Sequence, residues 1–367
     1  MNLLHICCNL AGSTVFPQLF TALKAAGLEQ TVFVPEKRAG DMGKNLPEGV
    51  LTHYRLTVKK SDTIFFFRKA QRSVPEIEKL VPMEKTDLIH AHTLFTDGSI
   101  AYALHKKHGT PFAVTLRYSD MAAIWRYMPH LRPMARRILR SAARVVFLSE
   151  KARDNVLLTW LGEKDREEIA PKCAVIPNGI DPAWLDGRGK DAPHTPVTVG
   201  FAGLLNNRKR PLDALAAVHK AVDSGLSCRM IACGSGPLEM QFKSAMRAED
   251  AFLGRVSGMD AMKAFYSKCD VLLVPSEAET FGMVYLEAMS QGVPVLYTRG
   301  QGFDGQFPEG AVGYSVACGD VNEQAARIAQ TLDGYADRSA RCVQLAKGYA
   351  WPVVAGTWKA LYESILA

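Results

Sequence analysis

Two glutamates eight positions apart, Glu279 and Glu287 in ETFGMVYLEAM, are the residues whose type and spacing most invite chemistry. The preceding CDVLLVPSEA reads as a buried strand, and Val284 to Ser290 has helical spacing that closes at Gly292. Glu279 then lies on a loop at the carboxyl end of a strand, and Glu287 lies in the helix that follows. Open α/β sheets take their ligands at such strand ends. Thr280, Phe281 and Gly282, with Met283 after them, would bring free N–H groups to a helix N-terminus, where an anion is favoured. A carboxylate just outside that helix suits sugar hydroxyls, and one two turns in suits the paired hydroxyls of a ribose.

Three more loops follow candidate strands. In FAGLLNNRKRPLDAL, Arg208, Lys209 and Arg210 fall between a strand ending at Gly203 and a helix starting at Pro211. Cations there can neutralise a diphosphate leaving group, whose charge grows in the transition state. Lys209 is the one expected to point inward, with Arg208 second. In ACGSGPLEM, Gly234 and Gly236 permit close approach of a phosphate or ribose, or simply a tight turn. CNLAGSTVFPQL offers Gly12 and Ser13 ahead of a helix, a weak signal because nearly every α/β chain has such a turn. HAHT ends a strand with His90 and His92 on one face. No third ligand is apparent nearby, so a polar strand-end pair is expected there, and no metal.

The elements that must position these residues are legible as an alternation. Candidate strands are 3–8, 31–34, 87–90, 112–115, 145–148 and 174–176, then 198–201, 229–233, 252–256, 271–274 and 293–297. Helical patterns lie between most of them, such as 16–26, 94–107, 211–224 and 236–248. Alternation of this kind predicts parallel sheets wrapped by helices on both faces. The stretch NGIDPAWLDGRGKDAPHTP has no sustained periodicity and divides two such series. A length of 367 residues fits two domains, with 48% hydrophobic and 22% charged residues as in ordinary globular chains.

The opening MNLLHICCNLAG reads as a strand rather than a signal peptide, and no stretch approaches a membrane span. The eight cysteines are scattered without a CxxC pair, which predicts free thiols and a cytoplasmic location. The formal charge of +7 is concentrated in KKSDTIFFFRKAQR (Lys59–Arg72) and in WRYMPHLRPMARRILRSAAR, which carries Arg126 to Arg144. These segments are either solvated helix faces or a peripheral contact with anionic lipid on the inner face of the plasma membrane, with Phe65 to Phe67 dipping in. No nucleic-acid signature accompanies them.

Taken in order, VIPNGID, FAG…RK, CGSGP, YSKCD…PS and E-x₇-E with EAMSQGVPV resemble the retaining family-4 glycosyltransferases. The resemblance covers nearly the whole chain. It implies the α/β GT-B fold, two facing Rossmann-like doubly wound parallel-sheet domains with a cleft between them. Residues 1–185 would form the acceptor-binding domain, completed by a crossover helix at 350–367, and 186–349 the nucleotide-sugar domain. Glu287 would hold the ribose, and the Phe281–Met283 amides would sit near phosphate or sugar. Glu279 would hold the transferred sugar, Lys209 and Arg208 the diphosphate, and Gly203, Gly234 and Gly236 would border the donor. The base would lie near Val256, Gly258 and Met259.

Same-face attack, with the departing phosphate taking the acceptor's proton, needs no protein nucleophile, no metal and no cofactor beyond the nucleotide-sugar. UDP-sugar is the expected donor, with GDP-mannose open. A glycolipid or glycan of bacterial surface polysaccharide or lipopolysaccharide is the expected acceptor, with His90, His92, Asp120 and Asn178 on its side.

Two departures stand out. Arg117 occupies the place where many relatives carry a histidine near the reacting sugar, and it cannot act as a base. Leu204 stands where many have an arginine. They motivate an alternative, a catalytically silent scaffold of the same shape; a phosphorylase, hydrolase or epimerase is a further one.

Overall fold

In a computed structural model, which describes residues 1–63, 66–117 and 119–367, the chain divides into two compact units. Met1–Gly179 and Trp351–Ala367 make the first, and Ile180–Ala350 the second. The division falls after Gly179, six residues before the expected boundary, because Ile180 already pairs with Ala350 inside the second unit.

The first unit holds seven strands: β1 (Asn2–Ile6), β2 (Glu29–Pro35), β3 (Leu51–Arg55), β4 (Leu88–Ala91), β5 (Phe112–Thr115), β6 (Arg144–Phe147) and β7 (Cys173–Val175). Their spatial order is β3-β2-β1-β4-β5-β6-β7, with all neighbouring strands parallel. The helices α1 (Val15–Ala25), α2 (Arg68–Leu80), α3 (Thr96–His108), α4 (Arg132–Ser141), α5 (Glu150–Thr159) and α6 (Glu163–Ile169) connect them. Helix α1 shows why such segments fold as they do. Phe16, Leu19, Phe20 and Leu23 recur at helical spacing, so one stripe is buried against the sheet.

The second unit has β8 (Val197–Ala202), β9 (Cys228–Cys233), β10 (Ala251–Phe252), β11 (Val271–Val274), β12 (Val295–Thr298) and β13 (Gly313–Val316), in the order β10-β9-β8-β11-β12-β13, again parallel. Around it run α7 (Pro211–Asp223), α8 (Glu239–Ala245), α9 (Met259–Ser267), α10 (Met283–Ser290), α11 (Val321–Thr331) and α12 (Tyr335–Ala346). The chain then returns to the first unit as α13 (Trp351–Leu366), which buries Trp358 and Tyr362 in a core shared with α1.

The strand expected over 252–256 stops at Phe252. Gly254 adopts φ +65° and turns the chain away from the ladder. The helix expected from Gly236 begins only at Glu239, since Gly236 packs on the Leu205 backbone. Strands β3 and β13 are additions to the expected set. In each sheet the order reverses once, between β1 and β4 and between β8 and β11, and loops diverging at such switch points open a crevice.

Candidate functional site

The reversal in the second unit sets the β8–α7 loop beside the β11–α10 loop. The first carries Lys209 and the second Glu279, and their side chains form an ion pair, 14% and 15% exposed. Each loop is pinned. Asn206 Oδ1 accepts the Lys209 N–H at 2.9 Å, and Arg208 O accepts the Glu277 N–H at 2.8 Å. Arg210 takes φ +52°, a left-handed conformation costly for a residue with a side chain, directly before Pro211 opens α7. Gln301 Oε1 accepts the Glu279 N–H at 3.0 Å, and the Gly302 N–H donates to Glu279 O at 2.9 Å. The Glu279 carboxylate also accepts the Thr280 N–H at 3.2 Å, so both of its oxygens are engaged.

Gly282 caps α10 at φ +90°, where a Cβ would fall 2.5 Å from the Tyr285 ring. Among the described residues, the amides of Phe281, Gly282 and Met283 have no hydrogen-bond acceptor, as a helix N-terminus leaves them. The Phe281 ring is buried against Tyr349 and Phe303. Glu287 reaches a cavity of about 490 Å³, which is also bordered by Gly203, Leu204, Gly234, Arg255 and Val256. Burial pushes its carboxyl above the ordinary range, and a hydrogen bond from the Tyr266 hydroxyl at 3.1 Å pulls the other way. Gly234 is required there by backbone contact, since a Cβ at φ +144° would lie 1.8 Å from Gly203 O. Gly258 caps α9 and is not among the residues lining the cavity.

Arg255, Met262 and Tyr266 are among the residues of this site that sequence reasoning passed over. Arg255 adjoins Val256 and could have been found from that neighbour. A tyrosine just before a buried strand carries no such signal.

The first unit's reversal gathers a second polar group. The amides of Gly12 and Ser13, the weak candidates of the first loop, donate to Asn9 O and Leu10 O in a tight turn and so are not free for a ligand. Asp97, in the first turn of α3, accepts the Cys8 N–H at 3.0 Å through Oδ1, while its buried Oδ2 has no partner among the described residues. Burial lifts its carboxyl to about 7. Asp120, lifted to about 6 by burial, spends both oxygens on backbone N–H groups of Phe95 and Arg117. It therefore ties two loops together. Arg117 extends over the Phe16 ring with its guanidinium carbon 4.4 Å from the centroid. It donates to His92 O at 3.2 Å and Asn178 Oδ1 at 3.3 Å.

His90 and His92 are fully buried, and a third imidazole joins them. His5 pairs with His90 across β1 and β4, and one ligand nitrogen from each of the three lies within 4.8 Å of the others. The hydrogen bonds fall into two separate sets. His90 uses both nitrogens, on Tyr362 Oη and Thr115 Oγ1 at 2.8 Å each, and His5 Nδ1 shares a proton with His92 Nε2 at 3.1 Å. A metal ion would have to displace a bond of His90, whereas His5 Nε2 and His92 Nδ1 have no partner among the described residues. Desolvation keeps all three rings neutral, with His5 pushed down to about 3.

The basic segments are less free than their sequence suggests. Arg140 and Arg136 both face Asp165 of α6, the former with Nε 2.7 Å from Oδ1 and the latter 3.5 Å from Oδ2. Arg132 donates to Trp125 O. Arg126 and Arg137 are exposed. Of the three phenylalanines, Phe66 is buried and Phe67 is 52% exposed, while Phe65 lies outside the described residues. No described helix is long and apolar enough to cross a membrane.

Comparison with known proteins divides the chain at 184–186, a few residues past the structural division. Residues 12–184 match the model described as Glycosyltransferase Family 4, and residues 186–348 that of Glycosyl transferases group 1. The chain is 24% identical over 324 residues to a D-inositol 3-phosphate glycosyltransferase of Pseudarthrobacter chlorophenolicus, covering 82% of this chain and 76% of that one. It is 28% identical over 225 residues to a GDP-mannose-dependent phosphatidylinositol dimannoside mannosyltransferase of Mycobacterium tuberculosis, covering 58% and 56%.

The fold is shared with sucrose-phosphate synthase from Thermosynechococcus elongatus (TM-score 0.76, 18% identity, 100% and 99% covered). It is shared also with Anabaena HepE in complex with UDP and glucose (TM-score 0.72, 17% identity, 99% and 100% covered). With two doubly wound units, a carboxylate-lined cavity in the second, and matched models spanning both, the chain belongs to the family-4 glycosyltransferases of GT-B fold.

Proposed function

We propose that this glycosyltransferase moves a sugar with retention from a nucleotide-sugar, a UDP-sugar in the first instance, to a glycolipid or glycan of bacterial surface polysaccharide or lipopolysaccharide. The observation that carries the reading is the juxtaposition of Lys209 and Glu279 at the second unit's switch point, beside three unused amides and the Glu287 cavity. Glu287 would take the ribose hydroxyls at the cavity wall. The amides of Phe281 to Met283, with Lys209 and Arg208, would hold the diphosphate, and Glu279 the hydroxyls of the transferred sugar. The leaving phosphate would accept the acceptor's proton as bond making and breaking proceed on one face of the sugar. No side chain then needs to act as nucleophile, and no metal is required.

Support for the donor comes from relatives named for UDP and GDP-mannose. In the first unit, Arg117 with Asn178 would face the acceptor. Peripheral contact with anionic lipid would rest on Lys59, Arg126 and Arg137, with Phe67 and Tyr127 as apolar contacts, all five exposed.

The test is turnover with a panel of UDP- and GDP-sugars and of glycolipid and oligosaccharide acceptors, followed by nucleotide release and by NMR of the product's anomeric centre. Acceptor-dependent release with the donor's anomeric configuration kept is expected. Inversion would remove the same-face mechanism. Donor loss without acceptor would favour the hydrolase or epimerase.

A further inference from the structure

The Lys209–Glu279 ion pair poses a problem for any ligand of this site. Both groups are spent on each other, yet the donor reading needs the ammonium on a diphosphate and the carboxylate on sugar hydroxyls. The two sides are not equally free to move. Glu279 is clamped on either side of its Cα, its N–H on Gln301 Oε1 and its carbonyl on the Gly302 N–H. Its carboxylate is further held by the Thr280 amide. At Gly302 a Cβ would lie 1.9 Å from Thr280 O, so the backbone beside Glu279 is packed directly against a second loop. Lys209 is fixed only at its backbone, through Asn206, and its ammonium rides on a flexible four-carbon stem. An anion arriving at the amides of Phe281 to Met283 would therefore draw Lys209 away from Glu279, and Glu279 would stay behind.

We propose that Glu279 is a specificity determinant that sets the site against nucleotides lacking a sugar. When a nucleoside diphosphate takes Lys209, the Glu279 carboxylate is left enclosed without its cation, beside a second negative group. A charge stranded in this way is costly. When the ligand carries a sugar, its hydroxyls donate to Glu279 in the place that the ammonium vacated, and the cost is removed. One ion pair thus couples recognition of the diphosphate to recognition of the sugar. It favours loaded donor over spent nucleotide and helps the product leave. The inference rests on the donor reading given above and adds to it a role for Glu279 in choosing between donor and product.

The experiment is calorimetric titration of the intact protein with UDP and UDP-glucose, alongside GDP with GDP-mannose and ADP with ADP-glucose. The proteins are the wild type, Glu279→Gln, Lys209→Met and the double variant. For the pair that binds, Glu279→Gln should tighten the nucleoside diphosphate about threefold to tenfold and weaken the nucleotide-sugar, so that the preference for sugar falls at least about tenfold. In the double variant the gain should vanish, because no ammonium remains to be released. Glu279→Ala provides the same charge removal if the glutamine refolds the loop.

Diphosphate affinity that is unchanged or weaker in Glu279→Gln overturns the inference while leaving the donor reading intact. So does a gain that persists without Lys209, which would be simple charge repulsion rather than exchange. Failure of every nucleotide to bind the wild type would instead sink the donor reading, and the inference with it.

Discussion

The Glu287 carboxyl is harder to ionise in its pocket than in water. Burial favours the neutral acid, and the Tyr266 hydroxyl is the one hydrogen-bond donor that the described structure gives the carboxylate. The other titratable groups on neighbouring elements are the Cys233 thiol of β9, held protonated by burial, and Arg255 at the cavity rim. Hydrogen bonding to ribose needs the ionised acid, so nucleotide affinity should climb as pH rises through the elevated Glu287 value. Tyr266→Phe removes the bond that lowers this value and leaves the ring in place. The affinity–pH curve should then move to higher pH, with weaker binding on its acid limb and recovery on the alkaline side. A curve that drops uniformly without moving would mean that Tyr266 only shapes the pocket.

Glu279→Ala should cut turnover by about 10²-fold or more, the scale of losing one group aimed at the reacting centre. Retained full activity would remove Glu279 from the site. Both glutamates were legible from the strand, the Phe-Gly turn and the eight-residue spacing. The Tyr266 hydroxyl was not, since its partner is 21 residues away and its ring reads as core.

At the scale of elements, most strands were legible because both faces of a parallel sheet are covered and the strands become continuous apolar runs. The exceptions have physical causes. Strand β3, LTHYR, is an edge strand with mostly exposed or half-exposed side chains. Strand β13 opens on Gly313, which reads as a break but is needed because a Cβ there would lie 1.9 Å from Val295 O. Within α1 and α10 the apolar spacing sufficed. The pairing of α4 with α6 was invisible, since the Arg136 and Arg140 contacts to Asp165 join residues 25 to 29 positions apart.

That pairing redistributes the expected roles of the arginines. Neutralising Arg136 and Arg140 together should leave binding to anionic vesicles nearly unchanged and reduce stability by about 1–3 kcal/mol, because the arginines are half-exposed but the Asp165 carboxylate they share is buried and would lose both cations. Neutralising Arg126 and Arg137 should instead weaken vesicle binding, more so at low salt. Vesicle co-sedimentation and urea denaturation of the two double variants separate these effects. Equal vesicle binding by both would return the segment to an ordinary solvated face.

For the whole molecule, pH acts on stability through buried groups of opposite sign, the imidazole trio on one side and Asp97, Asp120 and Glu287 on the other. The His5, His90 and His92 rings are neutral in the fold with depressed values, so their contribution is complete above about pH 6.5 and is lost as the medium is acidified. Asp97 is the reverse. Its value is raised to about 7, so the folded state is favoured below the unfolded carboxyl value, and that advantage disappears as pH climbs through 7. Asp97→Asn, which keeps an acceptor for the Cys8 N–H, should therefore gain on the wild type as pH goes from 5 to 8, by up to about 3 kcal/mol. Thermal melting at the two pH values reads the difference directly. A gap that does not change with pH would show that Asp97 is not the titrating group.

The imidazole trio marks a limit of reading along the chain. HAHT was visible, but His5 joins it only because β1 and β4 are sheet neighbours, a fact of topology rather than of local pattern.

The central claim, a nucleotide-sugar site in the second unit built around Glu287, is tested most directly by thermal denaturation of the wild type and of Glu287→Ala. Saturating UDP, GDP, CDP and ADP and their common sugars would be added without metal. A ligand bound only by the folded state raises the melting temperature by mass action. Stabilisation of the wild type by one nucleotide family, lost or sharply reduced in Glu287→Ala, is the predicted result. No stabilisation by any nucleotide, or the same stabilisation in both proteins, would contradict the account.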